Sequence, residues 1–353
     1  MEKIRKIFDK ISTDCALITS DVNRRYFTGM KSSAGVVVAF PEKLYLLIDF
    51  RYIEKARNTV KNAEVIELTS FNRQFPELLK KHGAKSVSIE AETMTVRTLN
   101  GYRKIFKDIS FDDSDTLSNA INNMRMVKDV QEIEYIRKAQ EIAEKSLSEL
   151  LPFIKNGRTE REIANELNRL MFVNGAEDLS FETIVLSGKN TSMPHGVPSD
   201  KPIKNGEFIL MDFGAVWNGY HSDMTRTLCL GQPDEEMKKV YNIVLSAQLA
   251  GLEYARAGIT GYELDKVSRD IIENAGYGEN FGHSLGHGVG LEIHEKPNAS
   301  PNYKSILEKN SVVTIEPGIY ITGKFGVRIE DFVVLTENGC NNLTNFDKNI
   351  ISL

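Results

Sequence analysis

The sequence predicts two domains, an α/β unit over residues 1–118 and an α+β unit over 119–353. Three observations predict them. A chain of 353 residues is longer than one ordinary core encloses. In its first third, short aliphatic runs alternate with helical periodicities. Beyond that, a pair of helical stretches followed by apolar strands occurs twice.

In the first unit, runs at 16–19, 35–40, 44–48, 65–68 and 87–89 predict strands, and 51–60, 71–81 and 95–105 predict helices. The opening MEKIRKIFDK reads as a charged amphipathic helix without the apolar core of a secretory signal. Residues 111–123 are rich in Asp, Ser and Asn, a turn-forming composition that places the domain boundary there. Downstream, 129–151 and 159–174 predict helices. The second opens with Thr159 three residues before Glu162, a capping-box arrangement. Strands follow at 181–187, 207–213 and 220–230, then helices at 234–257 and 261–274, then strands near 312–316 and 327–335. The repeated order suggests two related halves, though no residue identity supports a duplication.

With 41% hydrophobic and 26% charged residues, scattered prolines and no low-complexity tract, the chain is expected to be globular and ordered nearly end to end. A net charge of −5 leaves no surface built to neutralise phosphates. Lys80-Lys81 and Lys238-Lys239 read as solvated helix faces, so no nucleic acid partner is expected. The apolar runs are strand-length, which excludes a membrane span. Cys15, Cys229 and Cys340 lie far apart, giving neither a disulfide framework nor a zinc knuckle. Such sparse cysteines fit a reducing, cytoplasmic compartment.

The segment EFILMDFGAVWNGYHSDMTRTLCL carries the first chemistry. Asn218-Gly219 suits a two-residue hairpin turn, whose central positions need positive φ. That turn sets Trp217 opposite Tyr220 and Gly214 opposite Asp223, so Asp212 and Asp223 project from one face. Either aspartate alone would most simply face water or cap a turn. Two on one face, beside Ile209, Leu210 and Met211, repel unless a cation or a proton lies between them. A bulge would reverse the parity. His221 shares the face but sits nearer the turn, and reads as a bystander.

Four of the six histidines fall in two short segments. His195 lies in Met193-Pro194-His195-Gly196; His283, His287 and His294 lie in GHSLGHGVGLEIHE. A lone histidine is usually structural, but glycines between histidines let the backbone bend closely around a ligand. The glycine spacing lacks the strand–turn–helix context and the lysine of a phosphate loop. In VVTIEPGIYITGKFGVRIEDFVVL, Glu316 ends an apolar strand before Pro317-Gly318, while Arg328 and Glu330 share a strand face by the period of two. An ion pair between Arg328 and Glu330 is the simplest reading of that strand alone.

Together, Asp212, Asp223, Glu316, Glu330 and His287 form an oxygen-rich donor set suited to Mn, Co, Fe or Zn. Four carboxylates exceed the needs of one divalent ion, whereas two ions about 3.5–4 Å apart, activating a water and polarising a carbonyl, fit. No serine elbow or Cys–His pair offers a competing nucleophile. Calcium, an oxygen-only ion, does not fit the histidines.

The ordered set Asp212, Asp223, His287, Glu316 and Glu330, with MDFGAVWNGYHSDMTRT, HSLGHGVGLEIHE, IEPGIY and GVRIEDF, resembles the proline-specific metallopeptidases of the pita-bread fold. These include Xaa-Pro aminopeptidases and prolidases. NMRMVKDVQEIEYIRKA resembles the entry to their catalytic domain, and the first unit resembles the creatinase-like N-terminal domain, with weaker motifs. The resemblance implies a creatinase/aminopeptidase-like catalytic domain over 119–353. It implies that Asp212 holds one metal, His287 and Glu316 the other, and Asp223 and Glu330 both. Mn is the expected metal, with Co, Zn or Fe as alternatives. Glu316 would also move the proton from water to the leaving nitrogen. His195 and His294 would contact the substrate, His283 would line its pocket, and Arg328 would steady the carboxylates. A homodimer acting on proline-containing peptides is implied as well.

Within the family, a prolidase is expected to carry an arginine shortly after the HE-x-P segment. Here Glu295-Lys296-Pro297 is followed by Asn298-Ala299-Ser300-Pro301-Asn302, with Lys304 the nearest base. That departure favours an Xaa-Pro aminopeptidase, with an Xaa-Pro dipeptidase the alternative. A methionine aminopeptidase would not ordinarily carry the first domain, and creatinase lacks the metal ligands. A binding module built on this fold is the reading from another class, and such modules lose ligands that this chain keeps.

Overall fold

Aliphatic alternation in the first unit produces strands that are buried on both faces. In the computed structural model, which describes residues 2–353, the chain divides into the units Met1–Arg125 and Met126–Leu353. The first runs α1 (Glu2–Phe8), β1 (Cys15–Ile18), α2 (Asp21–Thr28), β2 (Val36–Phe40), β3 (Lys43–Ile48), α3 (Phe50–Thr59), β4 (Glu64–Glu67), α4 (Phe71–Lys81), β5 (Ser86–Ile89), α5 (Val96–Ile105), β6 (Ser110–Asp112) and α6 (Thr116–Met126). Its strands form one mixed sheet in the order β4-β3-β2-β1-β5-β6. Ala16, Ile18, Val37, Ala39, Leu44 and Leu46 pack into one core, and Cys15, Leu17, Val38, Phe40, Tyr45 and Leu47 into another. Each strand therefore feeds two layers by the period of two, which is why these runs are apolar throughout.

Two helices escape the sequence pattern. The polar α2 is specified by its ends, with Ser20 accepting from the Asn23 N–H and Gly29 closing it at φ 72°. The polar stretch at 111–123 holds β6 and most of α6, whose Leu117 and Ile121 are fully buried one turn apart. The division between units accordingly falls after Arg125, later than the turn composition places it.

The second unit repeats one arrangement. It runs α7 (Val130–Leu150), α8 (Glu160–Val173), β7 (Asp178–Leu179), β8 (Ile184–Ser187), β9 (Glu207–Phe213), β10 (Ala215–Trp217), β11 (Tyr220–His221) and β12 (Met224–Leu230). Then come α9 (Glu235–Tyr254), α10 (Gly261–Asn274), β13 (Gly286–Gly288), β14 (Glu295–Ala299), β15 (Val312–Ile315), β16 (Gly318–Ile321), β17 (Phe325–Arg328), β18 (Asp331–Leu335) and β19 (Cys340–Asn342). Each half is a packed helix pair, α7 with α8 and α9 with α10, followed by an antiparallel triple, β8-β9-β12 or β13-β15-β18. Thr159 and Thr260 each open a helix through a full capping box, with Glu162 and Glu263. No helix among the described residues is long and apolar enough to cross a membrane.

The hairpin keeps the parity that its turn dictates. Asn218 and Gly219 have φ 48° and 79°, and Trp217 faces Tyr220. Beyond the interruption the same register continues, with Phe213 opposite Met224 and Asp212 opposite Thr225. The predicted strand 220–230 is broken at Ser222 and Asp223 because the two chains crowd there. A Cβ on Gly214 would lie 1.9 Å from the Ser222 carbonyl oxygen, and the Ser180 hydroxyl bonds both the Ala215 and Ser222 carbonyls. The predicted strand 327–335 is also two strands. β17 pairs with β16 and β18 with β15, so the chain changes sheets at Ile329-Glu330. Arg328 and Glu330 thus do not share one strand face.

Gly214→Ala is expected to destabilise the second unit by about 2 kcal/mol, the middle of the range for overpacking, lowering Tm by roughly 4–8 °C. Calorimetry checks it; an unchanged Tm contradicts the close approach.

Candidate metal centre

Strands and the breaks between them supply the polar side chains of the second unit's cleft. Asp212 stands near the end of β9, Asp223 just before β12, His287 within β13, Glu316 just after β15, and Glu330 between β17 and β18. All five line one cleft of about 730 Å³. His287 Nε2 lies 3.5 Å from Asp223 Oδ2 and 3.4 Å from Glu316 Oε1. Asp223, His287 and Glu330 each offer a donor atom, all within 4.8 Å of one another.

The protonation pattern fits a site for cations. His287 Nδ1 sits 3.1 Å from the Gly288 carbonyl oxygen, an acceptor only, so that nitrogen carries the proton. Burial lowers its pKa, which favours the neutral imidazole. Nε2 therefore points a lone pair, not a proton, at two carboxylates. Asp212 Oδ2 accepts from Arg328 Nη2 at 2.5 Å, while its buried Oδ1 has no hydrogen-bond partner among the described residues. Burial, then the charges of Glu330, Asp212 and Glu316, push Asp223 well above the usual carboxylate range. Burial, then Glu316 and Asp212, does the same to Glu330. Glu316 is pushed up to about 7, mainly by burial, with Arg328 opposing the rise. An orphaned oxygen, an inward lone pair and crowded carboxyls fit divalent cations, which replace the protons otherwise needed.

Behind the donors lies a continuous hydrogen-bond network. Arg328 Nε donates to Thr225 Oγ1 (2.9 Å), and that hydroxyl donates to Glu330 Oε2 (2.7 Å). Arg328 Nη1 donates to the Tyr320 hydroxyl at 2.7 Å, which in turn donates to His283 Nε2 at 3.0 Å. Burial alone would lower the Arg328 pKa, but Tyr320 and the surrounding carboxylates hold it well above its ordinary value. His283 is driven down to about 4, chiefly by burial, so its ring is neutral. Thr314 Oγ1 accepts from the His287 N–H and donates to Glu316 Oε1, both at 3.0 Å. Sequence reasoning did not single out Thr225, Thr314 or Tyr320. The period of two would have found the threonines, since each lies two residues from a donor carboxylate.

The remaining histidines separate. His195, His283 and His294 line the same cleft as the donors. The His294 ring meets the His287 ring edge-on, 4.3 Å between centroids. His195 is exposed on the loop after β8. His221 is not among the cleft residues. Phe181, Ile184 and Ile293 give the cleft an apolar wall.

Comparison with known proteins gives consistent matches. Residues 134–337 match the model for metallopeptidase family M24, and residues 1–127 that for the creatinase/prolidase N-terminal domain. The chain is 39% identical to an Xaa-Pro dipeptidase of Pyrococcus furiosus, over 99% of both chains. Among solved structures it resembles an Xaa-Pro dipeptidase from Bacillus anthracis, with TM-score 0.96 and 38% identity, covering 100% of this chain and 99% of that one. It also resembles an X-Pro aminopeptidase from Thermotoga maritima, with TM-score 0.93 and 39% identity over 99% and 100% of the two chains.

A carboxyl with a raised folded pKa stabilises the fold fully below its unfolded value and loses that contribution as pH rises through the folded one. For Glu316 the window runs from 4.5 to about 7. Chelator-treated protein is expected to lose Tm across that window, and added Mn to restore it by an increment that grows with pH. An increment independent of pH would contradict the charge crowding.

Proposed function

Since this chain belongs to metallopeptidase family M24, with a creatinase-type domain ahead of a pita-bread catalytic domain, we propose that it is an Xaa-Pro dipeptidase, hydrolysing the bond before proline with two divalent ions, Mn foremost. The observation that carries the reading is the cluster in which a neutral His287 turns its lone pair toward Asp223 and Glu316. End-to-end likeness to dipeptidases of two organisms supports the dipeptide preference over removal of single residues from longer peptides. This reverses the preference drawn from the residues after Pro297.

Asp212 would hold one ion, His287 and Glu316 the other, and Asp223 and Glu330 both. When bound, the pair supplies an activated water and a polarised carbonyl. Thr314 fixes Glu316 through Oε1, and Oε2 makes no hydrogen bond within the described residues. Glu316 can therefore take the proton of the attacking water and pass it to the proline nitrogen as the C–N bond breaks. His195 and His294 reach the cleft from separate loops, placed to hold the scissile carbonyl and the charge that grows on it. Arg328, through Asp212 and Thr225, fixes carboxylates rather than substrate. A bond before proline has no N–H to recognise, so selection falls on ring shape against the cleft wall. A cytoplasmic homodimer completes the proposal, and sedimentation tests its second half.

A second reading, the Xaa-Pro aminopeptidase, is favoured by Asn298-Ala299-Ser300 where a carboxylate-binding arginine is expected, and by likeness to the T. maritima enzyme. Ala-Pro and Ala-Pro-Ala separate the two. The Mn-loaded protein is expected to favour Ala-Pro in kcat/KM by roughly tenfold or more, a margin that leaving a buried polar group unpaired supplies. Equal or better turnover of the tripeptide makes it an aminopeptidase, and no turnover of either overturns the peptidase reading. His294→Ala is expected to keep the metal and lose about 10²–10³ in kcat. Full turnover by that variant removes His294 from its role.

A further inference from the structure

The segment that carries His195 has little structure of its own. After a 3-10 turn over Gly188–Ser192 it runs without helix or strand to Asp200, and His195 is exposed. Its own backbone bonds are few, Met193 N–H to Asn190 and Gly196 N–H to Met193. Both ends of the segment converge on one side chain, Glu160, which is 0% exposed at the first turn of α8. Glu160 Oε1 accepts from the Ser187 N–H (2.7 Å), the Ser187 hydroxyl (2.9 Å) and Asn190 Nδ2 (3.0 Å). Oε2 accepts from the Ser199 N–H (3.1 Å), the Ser199 hydroxyl (2.6 Å) and Asn190 Nδ2 again (3.2 Å).

No cation pairs with this buried carboxylate among the described residues. Lys201 Nζ instead donates to the Ser187 hydroxyl and to Glu207. The anion is held by neutral donors and the positive end of α8. The helix does not need it there. Thr159 and Glu162 already cap α8, and the Glu160 and Arg161 N–H groups already bond the Lys201 and Ser199 carbonyls. What the carboxylate adds is one acceptor oxygen for each end of the loop. An amide in its place offers an acceptor oxygen on one side and an N–H₂ donor on the other.

We propose that Glu160 is a positioning residue that closes the 187–199 loop and thereby sets the place of His195 over the metal centre. The inference rests on His195 contacting substrate, as in the proposed function. Glu160→Gln turns an amide N–H₂ toward the donors at one loop end and frees that end. A displacement of that kind lowers kcat on Ala-Pro by about 10- to 100-fold. Metal content and KM stay near wild type. Hydrogen exchange quickens within 187–199 while β9 and β12 stay protected. In a His195→Ala background, Glu160→Gln adds less than about threefold, because both changes act through one imidazole. Ser199→Ala shifts the same readouts less, and covers the case in which Glu160→Gln does not fold. Losses that multiply across the two backgrounds, wild-type turnover in Glu160→Gln, or unchanged exchange in the loop would each overturn the proposal. A wild-type protein that leaves Ala-Pro intact defeats the peptidase reading alone, since exchange still decides the loop closure.

Discussion

Three carboxyls, Asp223, Glu316 and Glu330, are buried within each other's fields, and a fourth, Asp212, keeps one oxygen with no partner among the described residues. Beside them stands an imidazole whose free nitrogen cannot donate. Among the described residues, the guanidinium hydrogen-bonded to this group is that of Arg328, which also bonds Thr225 and Tyr320. Leaving such charges bare in a low-dielectric cleft is unfavourable by several kcal/mol per ion. Protons or dications must settle them, and the rest of the second unit is arranged around that requirement.

The fold meets it at strand ends and breaks and at close approaches between strands. Gly214 allows the Ser222 carbonyl to approach, which turns Asp223 beside Asp212. Gly286 does the same opposite Thr314, where an added Cβ would lie 1.9 Å from the carbonyl oxygen, and so brings His287 beside Glu316. Each half of the repeated helix-pair and strand-triple arrangement contributes one such approach, and the change of sheet after Arg328 supplies Glu330. Function thus sits on the irregular points of an otherwise regular scaffold, where backbone position is fixed by crowding rather than by ladders.

Legibility in the sequence followed the same division. The hairpin parity could be read because Asn218-Gly219 permits a single register, and a shared face follows from it. The strands of the first sheet could be read because both faces are apolar. The polar α2 and α6 could not, since their ends and a few buried positions, not a broad stripe, specify them. The sheet change at Ile329-Glu330 was also hidden, because two short strands in succession look like one. Tyr320 lies within IEPGIY, but the role of its hydroxyl depends on Arg328 and His283 standing on either side of it, which the motif does not encode. The choice between dipeptide and longer peptide stayed closed for a related reason. It depends on loop side chains around the cleft, whose place no periodicity encodes.

A pair of cations sharing Asp223 and Glu330 would satisfy these carboxylates. Anomalous scattering from crystals grown with Mn tests it directly. Two peaks about 3.5–4 Å apart, the spacing of dinuclear hydrolytic centres, both within bonding distance of Asp223 and Glu330, are the expected result. A single peak, or peaks away from those carboxylates, would contradict the account.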